Sequence, residues 1–203
     1  MAQSLSPNST RQFGILNVVA MAASAGGLAA LRIVLAGLPK NFPAAVVIVQ
    51  HLDPKHPSLL ASILARQSAV RVKEANATDV LAPATVFIAP PNHRLLVNRD
   101  GSLSLTQSEL VHFVRPSADL LFESVAASFG TRAIAVVLSG TGTDGTMGVR
   151  AIKKMGGTVI VQDRETAEFS GMPLAAFQTG EVDLSLPLEQ IAPMLVELVR
   201  DAK

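Results

Sequence analysis

The chain has no cysteine. Disulfides, thiolate nucleophiles and cysteine-ligated zinc are excluded together, and a reducing cytosol suits such a composition. It also lacks any appreciable net charge: 17 Lys and Arg stand against 16 Asp and Glu, a formal net charge of +1. Gripping nucleic acid takes concentrated positive charge, and no basic run here exceeds Lys153-Lys154. Nucleic acid is therefore not an expected partner. The opening stretch MAQSLSPNSTRQ is polar and offers no apolar segment for a secretory signal. No apolar run approaches the roughly 18 residues of a membrane span. Direct membrane insertion is not expected, and the default is a cytoplasmic protein. No internal repeat, coiled-coil heptad or low-complexity tract is evident.

What is there is enough for a core. Hydrophobic residues make up 49% of 203, and that length fits one sizeable domain. Residues 1–12 read as a flexible tail and residues 13–203 as the domain. Apolar β-type runs alternate with helical patterns. FGILNVVAM precedes a helix in which Leu28, Leu31, Leu35 and Leu38 recur at helical spacing. AAVVIVQ (44–50) precedes PSLLASILARQ (57–67). RAIAVVL (132–138) leads to DGTMGVRAIKKM, then GTVIVQD (157–163), and a last helix, 188–200, starts after Pro187. The strands are apolar throughout rather than alternating, as expected when helices cover both sheet faces. The fold class is α/β: a doubly wound, mainly parallel, Rossmann-like three-layer sheet. Arg99-Asp100-Gly101 lies between two alternating runs and predicts an antiparallel edge hairpin.

In open α/β sheets, ligands sit beyond the carboxyl ends of the strands. Three loops are predicted there: the one holding Ser24, the one opening with His51, and SGTGTDGTMG (139–148). Ser24 suits a helix N-cap, an anion cradle or a nucleophile at a strand-to-helix turn. On local preference alone the cap is favoured.

Three chemistries could use these loops. In the first, Ser24 attacks a carbonyl, His51 takes its proton and an acid orients the imidazole. Asp144, just before a helix, is the leading acid and Asp53 the lesser one; each also suits a cap or a solvated loop. Amides near Ala25 could receive the oxyanion. The order Ser, His, Asp differs from that of α/β-hydrolases, and Ala22 occupies the first glycine position of their nucleophile elbow. In the second, Gly140-x-Gly142-x-x-Gly145 binds a dinucleotide, with Asp163 at the end of the next strand; Asp144 would then set a negative charge beside the pyrophosphate. In the third, His51, Asp53 and His56 hold a metal, but Pro54 interrupts any regular ligand spacing. His93 opens the hairpin and could border a cleft, while His112 precedes the helix predicted from Ser117.

The ordered segments AASAGGLAAL, VQHLDP, IAPPNHRLLV, RPSADLLFESVA, VVLSGTGTDGTMGVRAIKKMGG and VQDRETAEFSGMP resemble the catalytic domain of the bacterial chemotaxis protein-glutamate methylesterases, the CheB family. The resemblance covers roughly residues 16–198. It implies a serine hydrolase that demethylates glutamate methyl esters on the cytoplasmic helices of chemoreceptors, releasing methanol, and in many members deamidates receptor glutamines. It implies catalytic roles for Ser24, His51 and Asp144, with no cofactor and no metal. Oxyanion or pocket candidates are Ala25, Gly26 and Thr141. The sequence departs from the family pattern at Ala25, where threonine is frequent, at Thr141 and Thr143, where methionine and asparagine are, and at Ala22, where glycine is usual. A residue 1–12 segment is too short for the receiver domain that many members carry. The expectation is a constitutively accessible esterase, or one controlled by a trans-acting partner protein. Outside that class stand two alternatives: the dinucleotide-binding protein and a non-catalytic receptor-binding domain.

Overall fold

The protein is described from a computed structural model covering residues 17–51, 58–107 and 116–201. Its centre is a seven-stranded sheet in the order β3-β4-β2-β1-β7-β8-β9, with every pairing parallel. The strands are β1 (Asn17–Ala23), β2 (Ala44–Gln50), β3 (Arg71–Glu74), β4 (Thr85–Ile88), β7 (Ala133–Val137), β8 (Thr158–Gln162) and β9 (Leu184–Leu186). All residues of β1, β2 and β7 are buried, because side chains alternate between two covered faces. Val19 and Met21 point into one core with Leu31, Val34 and Leu35 of α1 (Gly27–Ala36) and Ile191 and Leu195 of α6 (Leu188–Asp201). That core also takes Leu60 and Leu64 of α2 (Leu60–Ala65). Val18, Ala20 and Ala22 join the opposite core, with Leu121, Phe122 and Val125 of α3 (Ala118–Phe129), Val149 and Ile152 of α4 (Thr146–Lys154) and Met172 of α5 (Gly171–Phe177).

The chain leaves β1 toward β2 on one side and leaves β7 toward β8 on the other. The strand order therefore reverses between β1 and β7, and a crevice opens at their carboxyl ends. Glycine lets the helices above it come close. A Cβ on Gly148 would lie 2.5 Å from Phe122 Cβ and 3.0 Å from the Asp119 carbonyl oxygen, so α3 and α4 touch along their backbones.

The predicted antiparallel pair is β5 (Arg94–Val97) with β6 (Leu103–Thr106), which form a two-stranded sheet of their own. Gly101, at φ +78°, makes the turn. Asp100 braces it by accepting from Ser102 N–H (3.0 Å) and Oγ–H (2.6 Å). Leu95, Val97 and Leu103 bury against the α3 side. Val97 N–H donates to Ser124 Oγ (3.0 Å) and Val97 O accepts from Ser128 Oγ (2.8 Å), fastening β5 to α3.

Three strands were not distinguished in the sequence. β4 lies in the stretch read as part of the hairpin, β3 is a half-exposed edge rich in charge, and β9 has three residues. The second helix begins at Leu60 rather than Pro57. The predicted tail (1–12), Asp53, His56 and His112 lie outside the described residues. Among the described residues, no helix is long and apolar enough to cross a membrane.

Candidate active site

Ser24 is the first residue beyond β1. It does not cap α1: the N-cap position belongs to Gly26, at φ +71°, and makes no side-chain capping bond. The local preference of serine loses here to a glycine that reaches the left-handed turn at no steric cost. Ser24 instead stands between β1 and β7. Its N–H donates to Ser139 O (3.0 Å), and its carbonyl accepts from Gly27 N–H (2.9 Å). Gly140 approaches closely as well, since a Cβ there would lie 2.9 Å from Ser24 Cβ and strike Met172. The first glycine of the Gly-x-Gly-x-x-Gly run is thus required by the serine beside it.

His51 is the first residue beyond β2, and its N–H donates to Ala23 O (3.1 Å). Ala23 and Gln50 are register partners, so Ser24 and His51 follow paired strand ends. The imidazole Nε2 lies 2.9 Å from Asp144 Oδ2.

Asp144 sits immediately before α4, yet it does not cap that helix; Gly145, at φ +103°, holds the N-cap position. Its carboxylate faces α3 instead. Oδ2 accepts from Ala118 N–H (2.7 Å), and Oδ1 accepts from Asp119 N–H and Ser117 Oγ–H (3.1 Å each). The two amides are orphan donors of the α3 N-terminus, where a negative charge is favoured. Burial opposes ionisation of Asp144, but the His51 hydrogen bond and the Ala118 and Asp119 amides outweigh it and hold the carboxyl below its ordinary value of 3.8. An ionised carboxylate only accepts, so His51 Nε2 carries the hydrogen. In the neutral ring Nδ1 then holds the lone pair.

Asp119, missed in the sequence, is a second acid at this site. It is 7% exposed, and its Oδ1 accepts from Gly148 N–H (2.8 Å) in α4. Burial, and then the neighbouring Asp144 charge, push its carboxyl up despite amides of Gly148, Met147 and Gly145. Ser24, His51, Asp119, Thr141, Asp144 and Met147 line one cavity of about 500 Å³. Half-exposed Met147 lies at its rim.

The oxyanion candidates divide. Thr141 lines the cavity, whereas Ala25 and Gly26 do not. The Ser24 amide is committed to Ser139. Among the described residues, the Thr141 N–H donates to no backbone carbonyl. Dinucleotide chemistry fits poorly: two carboxylates line the cavity, and Asp163 spends Oδ1 on Thr166 N–H (2.8 Å) and Oγ1–H (2.6 Å) within its own turn. His93 donates from Nδ1 to Pro91 O (2.8 Å) and accepts at Nε2 from the Gln107 amide (2.9 Å), so its ring closes the hairpin base.

Comparison with known proteins bears on the family and the fold. A sequence model of the family described as CheB methylesterase matches residues 19–195. A protein-glutamate methylesterase/protein-glutamine glutaminase of Moorella thermoacetica is 44% identical over 92% of this chain and 45% of its own length. The chain thus spans less than half of that relative. A putative protein-glutamate methylesterase/protein-glutamine glutaminase of Leptospira interrogans is 37% identical over 89% of this chain and 93% of its own. In structure, the chain is similar to the crystal structure of the Thermotoga maritima CheB methylesterase catalytic domain. The TM-score is 0.86 at 37% identity, covering 90% of this chain and 98% of that one.

Proposed function

Because the chain belongs to the CheB methylesterase family, we propose that it is a serine hydrolase acting on glutamate methyl esters of chemoreceptor cytoplasmic helices. Residues 13–203 are its catalytic unit, working in the cytoplasm without a cofactor. The observation that carries the reading is the 2.9 Å bond from His51 to a partly buried, ionised Asp144 in the cavity that Ser24 also lines.

Ser24 Oγ attacks the ester carbonyl while its proton passes to His51 Nδ1. Asp144 holds the Nε2 hydrogen and offsets the imidazolium charge. The negative oxygen of the tetrahedral intermediate takes the Thr141 amide. The C–O bond to methoxide breaks, His51 returns the proton, and methanol leaves. Water then attacks the glutamyl-Ser24 ester by the same route and frees the glutamate carboxylate. With a glutamine substrate the leaving group is ammonia and the remaining steps are unchanged.

The test is methanol release from methylated receptor membranes. Ser24→Ala should lower turnover by about a thousandfold or more while the thermal transition stays in place. Methanol release by the alanine variant at the native rate overturns the serine mechanism. Binding to those membranes without release favours the non-catalytic alternative.

A further inference from the structure

The peptide groups on either side of Ser24 are held by two buried glutamines that take no part in the chemistry above. Val-Ile-Val-Gln occurs twice, at 47–50 and 159–162, an identity too short to be a repeat unit. Each copy ends a strand, β2 and β8 respectively, and each glutamine is the strand's last residue. The two strands flank the central β1–β7 pair. Gln50 is 5% exposed and Gln162 1%.

Gln50 braces the exit of β1. Its Nε2 donates to Ser24 O (2.7 Å) and to His51 O (3.2 Å). Two carbonyl oxygens demand a donor, so the orientation of this amide is fixed by chemistry. One side-chain group therefore ties the residue of the nucleophile to the residue of the base. Its Oε1 is buried with no hydrogen-bond partner, which carries a desolvation penalty. Gly27 is glycine partly for this side chain: a Cβ there would collide with Gln50 Oε1.

Gln162 braces the exit of β7. Its Oε1 accepts from Ser139 N–H (2.9 Å) and its Nε2 donates to Thr166 O (2.9 Å). Ser139 passes the restraint on. Its carbonyl accepts from Ser24 N–H (3.0 Å), and its Oγ donates to Ala25 O (2.8 Å) while accepting from Phe169 N–H (3.0 Å).

We propose that Gln50 and Gln162 are a matched pair of positioning residues that fix the Ser24 turn from opposite sides, Gln50 directly and Gln162 through Ser139. The proposal rests on Ser24 being the nucleophile. Burying an orphan acceptor beside it is accepted because the donor end aligns serine and histidine.

The experiment compares the full chain with Gln50→Glu, Gln50→Met, Gln162→Glu and Gln162→Met. Readouts are p-nitrophenyl acetate hydrolysis, labelling of Ser24 by a fluorophosphonate, and Tm. Gln50→Met removes the donor facing Ser24, and Gln50→Glu removes it where the carboxyl is ionised; each should lower kcat about tenfold or more at alkaline pH, with KM within about twofold. Labelling should slow in parallel. Gln162→Glu keeps the acceptor for Ser139 but sets an oxygen against Thr166 O, so its cost should fall on Tm with a kcat loss below about threefold, whereas Gln162→Met should resemble the Gln50 variants. Should a methionine variant fail to fold, the isosteric glutamates decide alone. Native kcat in Gln50→Glu at alkaline pH, or a Gln162→Glu as damaged in kcat as Gln50→Glu, overturns the proposal. Wild-type chain that neither turns over nor labels instead removes the hydrolase reading, and this proposal with it.

Discussion

Asp144 and Asp119 serve each other's helices. Asp144 precedes α4, yet its carboxylate accepts amide hydrogens from α3, including that of Asp119 itself. Asp119 belongs to α3, yet its carboxylate accepts Gly148 N–H from α4. Two helix N-termini are thus locked by exchanged acids, and the acid bonded to His51 is one of them.

Asp144→Asn should be far more damaging than its size suggests. An asparagine turning its NH₂ toward Nε2 would make that nitrogen an acceptor and leave the hydrogen on Nδ1, the wrong tautomer for taking a proton from Ser24. Turnover is expected to fall by about 10⁴-fold, by analogy with triads in which the acid is neutralised this way. Ester hydrolysis with active-site titration measures it, and a loss below about tenfold would mean that Asp144 does not set the tautomer.

The two acids should leave opposite marks on stability against pH. Asp144 is held below 3.8, so its contribution is present above the ordinary carboxylate value and disappears as pH falls through the lowered one. Asp119 is raised, so the native state favours its proton. That contribution is full below 3.8 and declines as pH rises through the raised value. Urea midpoints across the acidic range should show Asp119→Asn abolishing the decline above pH 3.8 while keeping the loss at lower pH. A variant curve parallel to wild type would contradict the raised carboxyl.

Gly140→Ala and Gly142→Ala should separate activity from strain. The first places a Cβ against Ser24 and Met172, and displacing Ser24 should cost about tenfold to a hundredfold in kcat. The second meets nothing within 4 Å but sits at φ +88°, so it should cost about 1–3 kcal/mol in stability with a smaller kinetic effect. Equal kinetic losses from both would argue against the close Ser24–Gly140 approach.

Ser117→Ala removes one of the four hydrogen bonds on Asp144. Denaturant titration should register a loss of about 0.5–1.5 kcal/mol, with KM unchanged. A neutral effect would mean that the hydroxyl bond adds nothing to the two amides.

The central strands were legible because β1, β2, β7 and β8 carry apolar residues on both faces, and three loops at one edge followed from parallel pairing. β3 was not, because Arg71, Lys73 and Glu74 sit on a half-exposed edge where no apolar run is needed. Ser24 was locally better read as a cap, since nothing nearby in the sequence reveals that Gly26 takes that position in a left-handed conformation. Asp144 before a helix likewise suggested a cap of α4. Its partners at Ser117, Ala118 and Asp119 come from a contact that only the packing of α3 on α4 creates. Asp119, Gln50 and Gln162 left a faint signal: polar side chains at the start of a helix or the end of an apolar strand.

The β5–β6 ribbon is pinned to α3 at Ser124 and Ser128, and the first turn of that same helix grips the Asp144 carboxylate. The hairpin is therefore an outrigger for the acid rather than an ornament. Shortening it would loosen the far end of a rod whose near end steadies the carboxylate, so changes at Ser124 or Ser128 would register as a displaced imidazole at His51.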